Sequence, residues 1–179
     1  MDCTYSGTTA VVVLMREFKL YIANAGDSRA VMAKRNRDGK IVAHDLSVDQ
    51  NPNHPVEQAR IEAAGGFVSP PPEPGLSARV WLDANFTQIG LAMGRSLGDH
   101  AVKSVGVIAE PEVTTYDITP DDEYMIVASD GVWEFIDSEE AVNIVLRNLD
   151  RGAHKACEIL IETAKQRWRD EEGDYRDGE

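Results

Sequence analysis

A chain of 179 residues, 42% apolar and 27% charged, has ordinary globular composition, points to one domain, and can bury a core without disulfide or zinc staples. Its 18 basic and 31 acidic side chains give a net charge of −13. That excludes a generic binder of nucleic acid or anionic membrane, which needs basic surface, and suits either a solvated acidic surface or carboxylates gathered for a hard cation.

Residues 8–15 (TTAVVVLM) read as a buried strand. In residues 18–25, Phe18, Leu20 and Ile22 alternate with Lys19, Tyr21 and Ala23, a half-buried strand joined to the first by a hairpin at Arg16-Glu17. Gly26-Asp27 turns into a third strand, 28–34, and Asp38-Gly39 into a fourth, 40–46. A strand-like run so soon after Met1, with nothing to cap its edge, leads us to expect a fragment. Residues 55–64 read as a short helix with Pro55 in its first turn and Gly65-Gly66 at its end. Pro70, Pro71, Pro72 and Pro74 lie in an extended stretch. A short strand is expected over 79–82, and residues 90–97 are apolar with glycine breaks. Residues 112–118 and 123–129 read as strands, the second buried, with a turn between them. Helical spacing then takes over. Asp137 and Glu140 resemble a capping box before Ala141, Val142, Ile144, Val145 and Leu149; Ala156, Ile159, Leu160, Thr163, Ala164 and Trp168 mark a second amphipathic helix, fraying from Arg169. Antiparallel strands first and helices last predict an α+β fold, with helices covering a sheet or sheet pair.

No apolar run reaches membrane-spanning length, and the first residues lack the regions of a secretion signal. Two cysteines, Cys3 and Cys157, without a CxxC, make neither a disulfide framework nor a zinc site. A reducing compartment, cytoplasm or nucleus, is expected.

Three segments carry groups with chemical potential. In Ser129-Asp130-Gly131-Val132-Trp133-Glu134 an apolar strand runs into an aspartate followed by glycine. An aspartate at a strand mouth is rigidly held and partly desolvated, and a helical turn there puts Glu134 on the same face as Asp130. Two oxygen donors on one corner suit Mg²⁺ or Mn²⁺; the other reading is a turn aspartate that caps the next helix. Asn24-Ala25-Gly26-Asp27-Ser28-Arg29 repeats the pattern of a strand ending in aspartate, and also fits a plain turn. In Gly94-Arg95-Ser96-Leu97-Gly98-Asp99, Arg95 suits either a phosphoryl group or a structural ion pair with Asp99 or Glu110. His44, His54, His100 and His154 form no metal-binding or catalytic pattern. The acidic end of the chain reads as solvated.

Taken in order, SGTTAVVV (6–13), LYIANAGDSRAV (20–31), LSVDQNPNHPVEQARIEAAGG (46–66), GLAMGRSLGD (90–99), VIAEPEV (107–113) and EYMIVASDGVWEFIDSEEAV (123–142) resemble the metal-dependent Ser/Thr protein phosphatases of type 2C. The resemblance covers nearly the whole chain. It implies an antiparallel β-sandwich flanked by helices, here incomplete, with residues 1–179 forming the middle and C-terminal part of the domain. It also implies hydrolysis of phosphoserine and phosphothreonine in phosphoprotein substrates by water activated on two or three Mg²⁺ or Mn²⁺ ions. Asp130 then matches the aspartate of the family's Ser-Asp-Gly motif, a catalytic ligand of the binuclear centre. Asp27 matches a ligand of a further metal, and Glu134 stands where the family often has aspartate at that site. Asp177 looks like the family's last metal ligand, although the chain stops two residues later. Residues 67–95 cover the variable flap, where substrate contacts are expected. The family's Glu-Asp segment, its phosphate-gripping arginine, its Asp-Gly-His-Gly motif and its closing strand have no match here. These departures lead us to expect little activity from the 179 residues alone, weak metal binding, and non-native association through an exposed sheet edge. The alternative is a pseudophosphatase that binds or regulates without catalysis.

Overall fold

The opening β-branched run makes two strands, not one. In the computed structural model, which describes residues 2–72 and 77–172, the run breaks at Thr9 into β1 (Gly7–Thr8) and β2 (Ala10–Arg16). There follow β3 (Lys19–Ala25), β4 (Arg29–Arg35), β5 (Ile41–Asp45), α1 (Pro55–Ala63), β6 (Phe67–Ser69), β7 (Arg79–Trp81), β8 (Leu97–Gly98) and α2 (His100–Lys103). The last third holds β9 (Glu112–Asp117), β10 (Asp122–Ala128), α3 (Asp130–Trp133), α4 (Ser138–Leu146), a 3-10 turn at Leu149–Arg151 and α5 (Ala153–Glu172). The chain divides into two units that interleave in sequence: Met1–Arg29 with Leu46–Ile118, and Ala30–Asp45 with Thr119–Glu179.

In unit 1, β2, β3 and β9 form an antiparallel sheet with β3 in the centre. The hairpin turn falls on Glu17-Phe18, one residue later than the sequence reading, because Arg16 pairs with Lys19. Glu17 takes a left-handed φ of 58°, and Phe18 is left exposed in the turn instead of packing with Leu20 and Ile22. Those two are 2% and 1% exposed on the inner face. The register puts Val12 beside Ala23 and Leu14 beside Tyr21, and Ala23 beside Val113 on the far strand, so these residues share the outer face. Val12, Leu14 and Val113 are 59%, 61% and 63% exposed there. The expectation of a fully buried first strand is therefore corrected. A second apolar cluster, Ile61, Val80, Val102 and Val107, ties α1 to β7 and to the segment after α2. Gly106, at φ 95°, lets that segment run against α1, where a Cβ would lie 2.8 Å from the Ile61 Cα.

In unit 2 the sheet order is β10-β4-β5, with β4 and β5 antiparallel across the expected Asp38-Gly39 hairpin. Gly39 has φ 77°, and the Asn36 side chain accepts from the backbone N–H groups of Asp38 and Lys40. Val31 and Ala33 from β4, Ile126 from β10, Val142 from α4 and Leu160 from α5 pack into one cluster with Trp133 and Ile136. β10 alternates between the two faces rather than being buried throughout. Asp137 caps α4 by accepting from the Glu140 N–H at 2.7 Å. α5 stays helical through Glu172, past the point where fraying was expected, because helix propensity persists in its polar last turn. The Tyr124 hydroxyl donates to the Val142 carbonyl at 2.7 Å, and burial, with Glu123 and Glu139 nearby, pushes its pKa up to about 12. The observed class is α+β with antiparallel sheets.

Candidate functional site

Asp130 stands where β10 hands over to a single helical turn. Ser129 is extended, at φ −85° and ψ 177°, and α3 starts at Asp130 itself. The Glu134 N–H donates to the Asp130 carbonyl at 2.9 Å, so the two carboxylates lie one turn apart, as the spacing predicts. The corner is held from behind. Trp133 is buried and its Nε1 donates to the Ala128 carbonyl at 2.8 Å. Trp168 of α5 donates from its Nε1 to the Gly131 carbonyl at 2.9 Å and meets Phe135 edge-on, with ring centroids 4.8 Å apart. The expected partial desolvation of Asp130 is not seen: the residue is exposed, and Glu134 is partly buried. Rigidity at this corner comes from the indole bonds to the backbone, not from burial of the carboxylate.

Asp27 belongs to unit 1, and Asp130 and Glu134 to unit 2. Asp27 is partly buried in the turn between β3 and β4. Gly26 before it has φ 118°, and Thr9 packs where its Cβ would be, with Cγ2 2.4 Å from that position. Thr9 is also where the chain changes partner, from β8, which pairs with Gly7 and Thr8, to β3, which pairs with Ala10–Arg16, and its hydroxyl bonds that of Ser28 at 2.8 Å. After the turn, Arg29 forms a two-pronged pair with Asp49, at 2.9 and 2.6 Å. Asp177 lies outside the described residues.

Arg95 takes the structural role rather than the phosphoryl-binding one, with Glu57 as its ion-pair partner and, of the two residues expected, Glu110 taking part through its backbone carbonyl. Its guanidinium grips the Glu57 carboxylate at 2.7 and 3.1 Å, and donates to the Glu110 backbone carbonyl at 2.9 Å. Arg60 pairs with the same carboxylate at 2.6 Å and donates to the carbonyls of Gly94 and Gly106. Burial pushes the Glu57 carboxyl up, but hydrogen bonds from Arg95 and Arg60 outweigh it and hold the group below the usual carboxylate range. Sequence reasoning missed Glu57, because a glutamate in a short amphipathic helix reads as surface. The small residues around Arg95 were the available signal of close packing: a Cβ on Gly94 would lie 2.9 Å from the Glu57 Oε2.

The expected flap, 67–95, holds a short hairpin that packs on α1 through Val80. β6 and β7 pair from Phe67–Trp81 to Ser69–Arg79, the Trp81 Nε1 donates to the Ser69 hydroxyl at 2.9 Å, and Val80 bridges to Leu91. Residues 73–76 lie outside the described residues. The Asp83 carboxylate accepts from the N–H groups of Asn85, Thr87 and Gln88 and from the Thr87 hydroxyl. What desolvation Asp83 meets raises its pKa, but these bonds win and lower it.

All three described candidates are carboxylates, the hard oxygen donors that Mg²⁺ and Mn²⁺ take. The donor chemistry therefore fits such an ion. Among the described residues no three His, Cys, Asp or Glu side chains gather closely enough to hold one. About six oxygens surround a hard cation, so Asp130 and Glu134 leave most positions to other carboxylates or water.

A family model described as protein phosphatase 2C matches residues 1–172. A rice protein (Oryza sativa subsp. japonica), "Probable protein phosphatase 2C 12", is 46% identical over 170 residues, covering 94% of this chain and 43% of its own length. A second, "Probable protein phosphatase 2C 14", is 43% identical over 169 residues, covering 94% of this chain and 32% of its own. The chain thus spans less than half the length of either relative. Among solved structures, the serine-threonine phosphatase 2C from Toxoplasma gondii superposes with a TM-score of 0.81 at 24% identity, over 94% of this chain and 55% of that one. A C. elegans sex-determining protein does so with a TM-score of 0.70 at 22% identity, over 89% and 37%. Both likenesses bear on the fold.

Proposed function

The chain belongs to the protein phosphatase 2C family, and from that premise we propose that the whole protein hydrolyses phosphoserine and phosphothreonine in phosphoproteins with Mg²⁺ or Mn²⁺. The observation that carries the reading is the Asp130 corner. A strand ends in a carboxylate held in place by backbone bonds from two indoles, with a second carboxylate one helical turn on. Asp130 serves as the catalytic metal ligand, with Glu134 and Asp27 as further oxygen donors and Asp177 as a fourth. A bound ion supplies Lewis acidity and a water of lowered pKa. The protein's own residues hold charge at fixed points: Trp133 and Trp168 keep the Asp130 turn from rotating, and Glu57 engages Arg95. Residues 67–95 serve as the substrate-facing flap. Both units are read as parts of one phosphatase domain, since the family match runs through both. Free Cys3 and Cys157 accord with a place in the cytoplasm or nucleus.

The test is hydrolysis of p-nitrophenyl phosphate and of a phosphothreonine peptide by the full-length protein, with Mn²⁺ titrated and EDTA as control. Metal-dependent turnover, reduced at least 100-fold in Asp130→Ala, is expected; typical losses on removing one group that stabilises the transition state are of that order. Turnover in EDTA, or turnover untouched by the substitution, overturns the reading. The second reading, a pseudophosphatase, is favoured by the lack of any three-ligand cluster among the described residues. It is the outcome if folded full-length protein shows no turnover in Mn²⁺.

A further inference from the structure

We propose that Gln50 is the positioning residue for Asp27, an inference that rests on reading Asp27 as a metal ligand. β3 ends at Ala25, so the ladder no longer fixes Gly26, the residue that delivers Asp27. Gln50, 24 positions along the chain from Gly26 and 2% exposed, takes over that task. Its Oε1 accepts from the Gly26 N–H at 2.6 Å, and its Nε2 donates to the Asn24 carbonyl at 3.2 Å. Its backbone N–H donates to the Gly26 carbonyl at 3.0 Å, and its own carbonyl accepts from the Gly94 N–H at 2.7 Å.

Asn24 completes the clamp. It is 1% exposed, and its Nδ2 donates to the carbonyls of Gly26 and Val48, both at 3.1 Å. Gly26 is thereby bonded at both its N–H and its carbonyl while it holds φ 118°, a backbone conformation that costs L residues strain. Thr9 fills the space beside it, where a Cβ would lie 2.4 Å from the Thr9 Cγ2, so the residue before Asp27 is packed as well as bonded. Gln50 touches solvent hardly at all, so its part in metal binding is indirect. Groups of this kind, which orient a ligand without binding the metal, change affinity by about 10–100-fold when removed.

The experiment uses the full-length protein and Mn²⁺ alone. Calorimetry measures Mn²⁺ affinity, and amide exchange follows Gly26, in wild type, Asp27→Asn, Gln50→Leu and Ile61→Val. Gln50→Asn, whose amide falls one methylene short, replaces Gln50→Leu if that variant does not fold. Ile61→Val loosens the core of the same unit away from this loop, so it reports what a general loss of stability does. The expected result is that Asp27→Asn abolishes a Mn²⁺ site, the Gln50 variant weakens it about tenfold with faster exchange at Gly26, and Ile61→Val leaves it unchanged. If Asp27→Asn removes the site and the Gln50 variant keeps wild-type affinity, or Ile61→Val weakens it equally, the positioning role is overturned and the reading of Asp27 stands. If Asp27→Asn changes nothing, or the wild-type full-length protein takes up no Mn²⁺, Asp27 is not a ligand and both fall.

Discussion

Each unit builds a three-stranded sheet from β-branched and apolar residues, yet the two sheets meet different fates. The sheet of unit 2 has helices α4 and α5 packed on it, and Val31, Ala33, Val142 and Leu160 share one buried cluster. The sheet of unit 1 buries Leu20 and Ile22 on its inner face but leaves Val12, Leu14 and Val113 more than half exposed on its outer face. Unit 1 places a charged group inside instead: Glu57, 1% exposed, between two arginines. Strand patterning thus fixes which residues share a face. Whether that face is buried depends on which other segments are there to cover it. The contrast also separates two ways of holding a fold, by apolar contact and by satisfied charge.

The sharpest way to break the comparison is Glu57→Ala. It leaves Arg95 and Arg60 without their carboxylate, and the loss of one partner from a buried pair costs about 3–5 kcal/mol. Amide exchange is expected to speed up in α1 and around Gly94 while α4 and α5 keep their protection; an unchanged unfolding midpoint would show that the cluster contributes nothing. Because the Glu57 pKa is held down in the folded chain, the stabilisation is present above the ordinary glutamate range and is lost as pH falls through the lowered value. In unit 2, Leu160→Ala removes an apolar side chain that is 4% exposed and is expected to cost about 3 kcal/mol, with the exchange pattern reversed.

Tyr124→Phe is a smaller probe, at about 1 kcal/mol for one hydrogen bond. Its pH behaviour says more. The folded hydroxyl titrates at about 12 against an ordinary value of 10.0, so its stabilisation is present below 10 and disappears as pH rises through about 12. Phenylalanine should flatten that alkaline loss in a pH series of thermal melts. The smallest effect is expected at Val12→Lys, within about 0.5 kcal/mol, because the side chain already faces solvent. The same change should reduce self-association of the 179-residue chain in sedimentation, where wild type presents an apolar sheet face and β2 is, among the described residues, an edge strand of its sheet. A cost of several kcal/mol at Val12 would mean that the face is covered in solution.

Much of this was legible in the residues. Alternation at Leu20 and Ile22, the Asp38-Gly39 hairpin, Pro55 opening α1 and Asp137 capping α4 all act within a few positions, where local preference decides the outcome. The strand break at Thr9 was not legible, since it comes where the chain changes partner from β8, some 90 positions on, to β3. Nor was the partner of Arg95, since Glu57 lies 38 positions away and nothing in a helical heptad marks its glutamate as the buried one. At the candidate site, the placement of Asp130 and Glu134 on one turn followed from spacing. The exposure of Asp130 did not, because a strand of alternating burial looks the same on paper as one buried on both faces. Gln50 escaped notice for a similar reason: its amide serves a turn 24 residues upstream.

The Asp83 turn has a consequence of another kind. One carboxylate receives three backbone N–H groups and one hydroxyl, all from residues within five positions of it. Such a loop carries its own folding instructions and borrows little from what surrounds it. A segment of that kind can be inherited, exchanged or lengthened as a block, with the scaffold on either side left as it was. Exchange confined to this turn, at the short end of compact self-packed loops, leaves Leu82 and Ile89 on either side in place against the Ile61, Val80, Val102 and Val107 cluster.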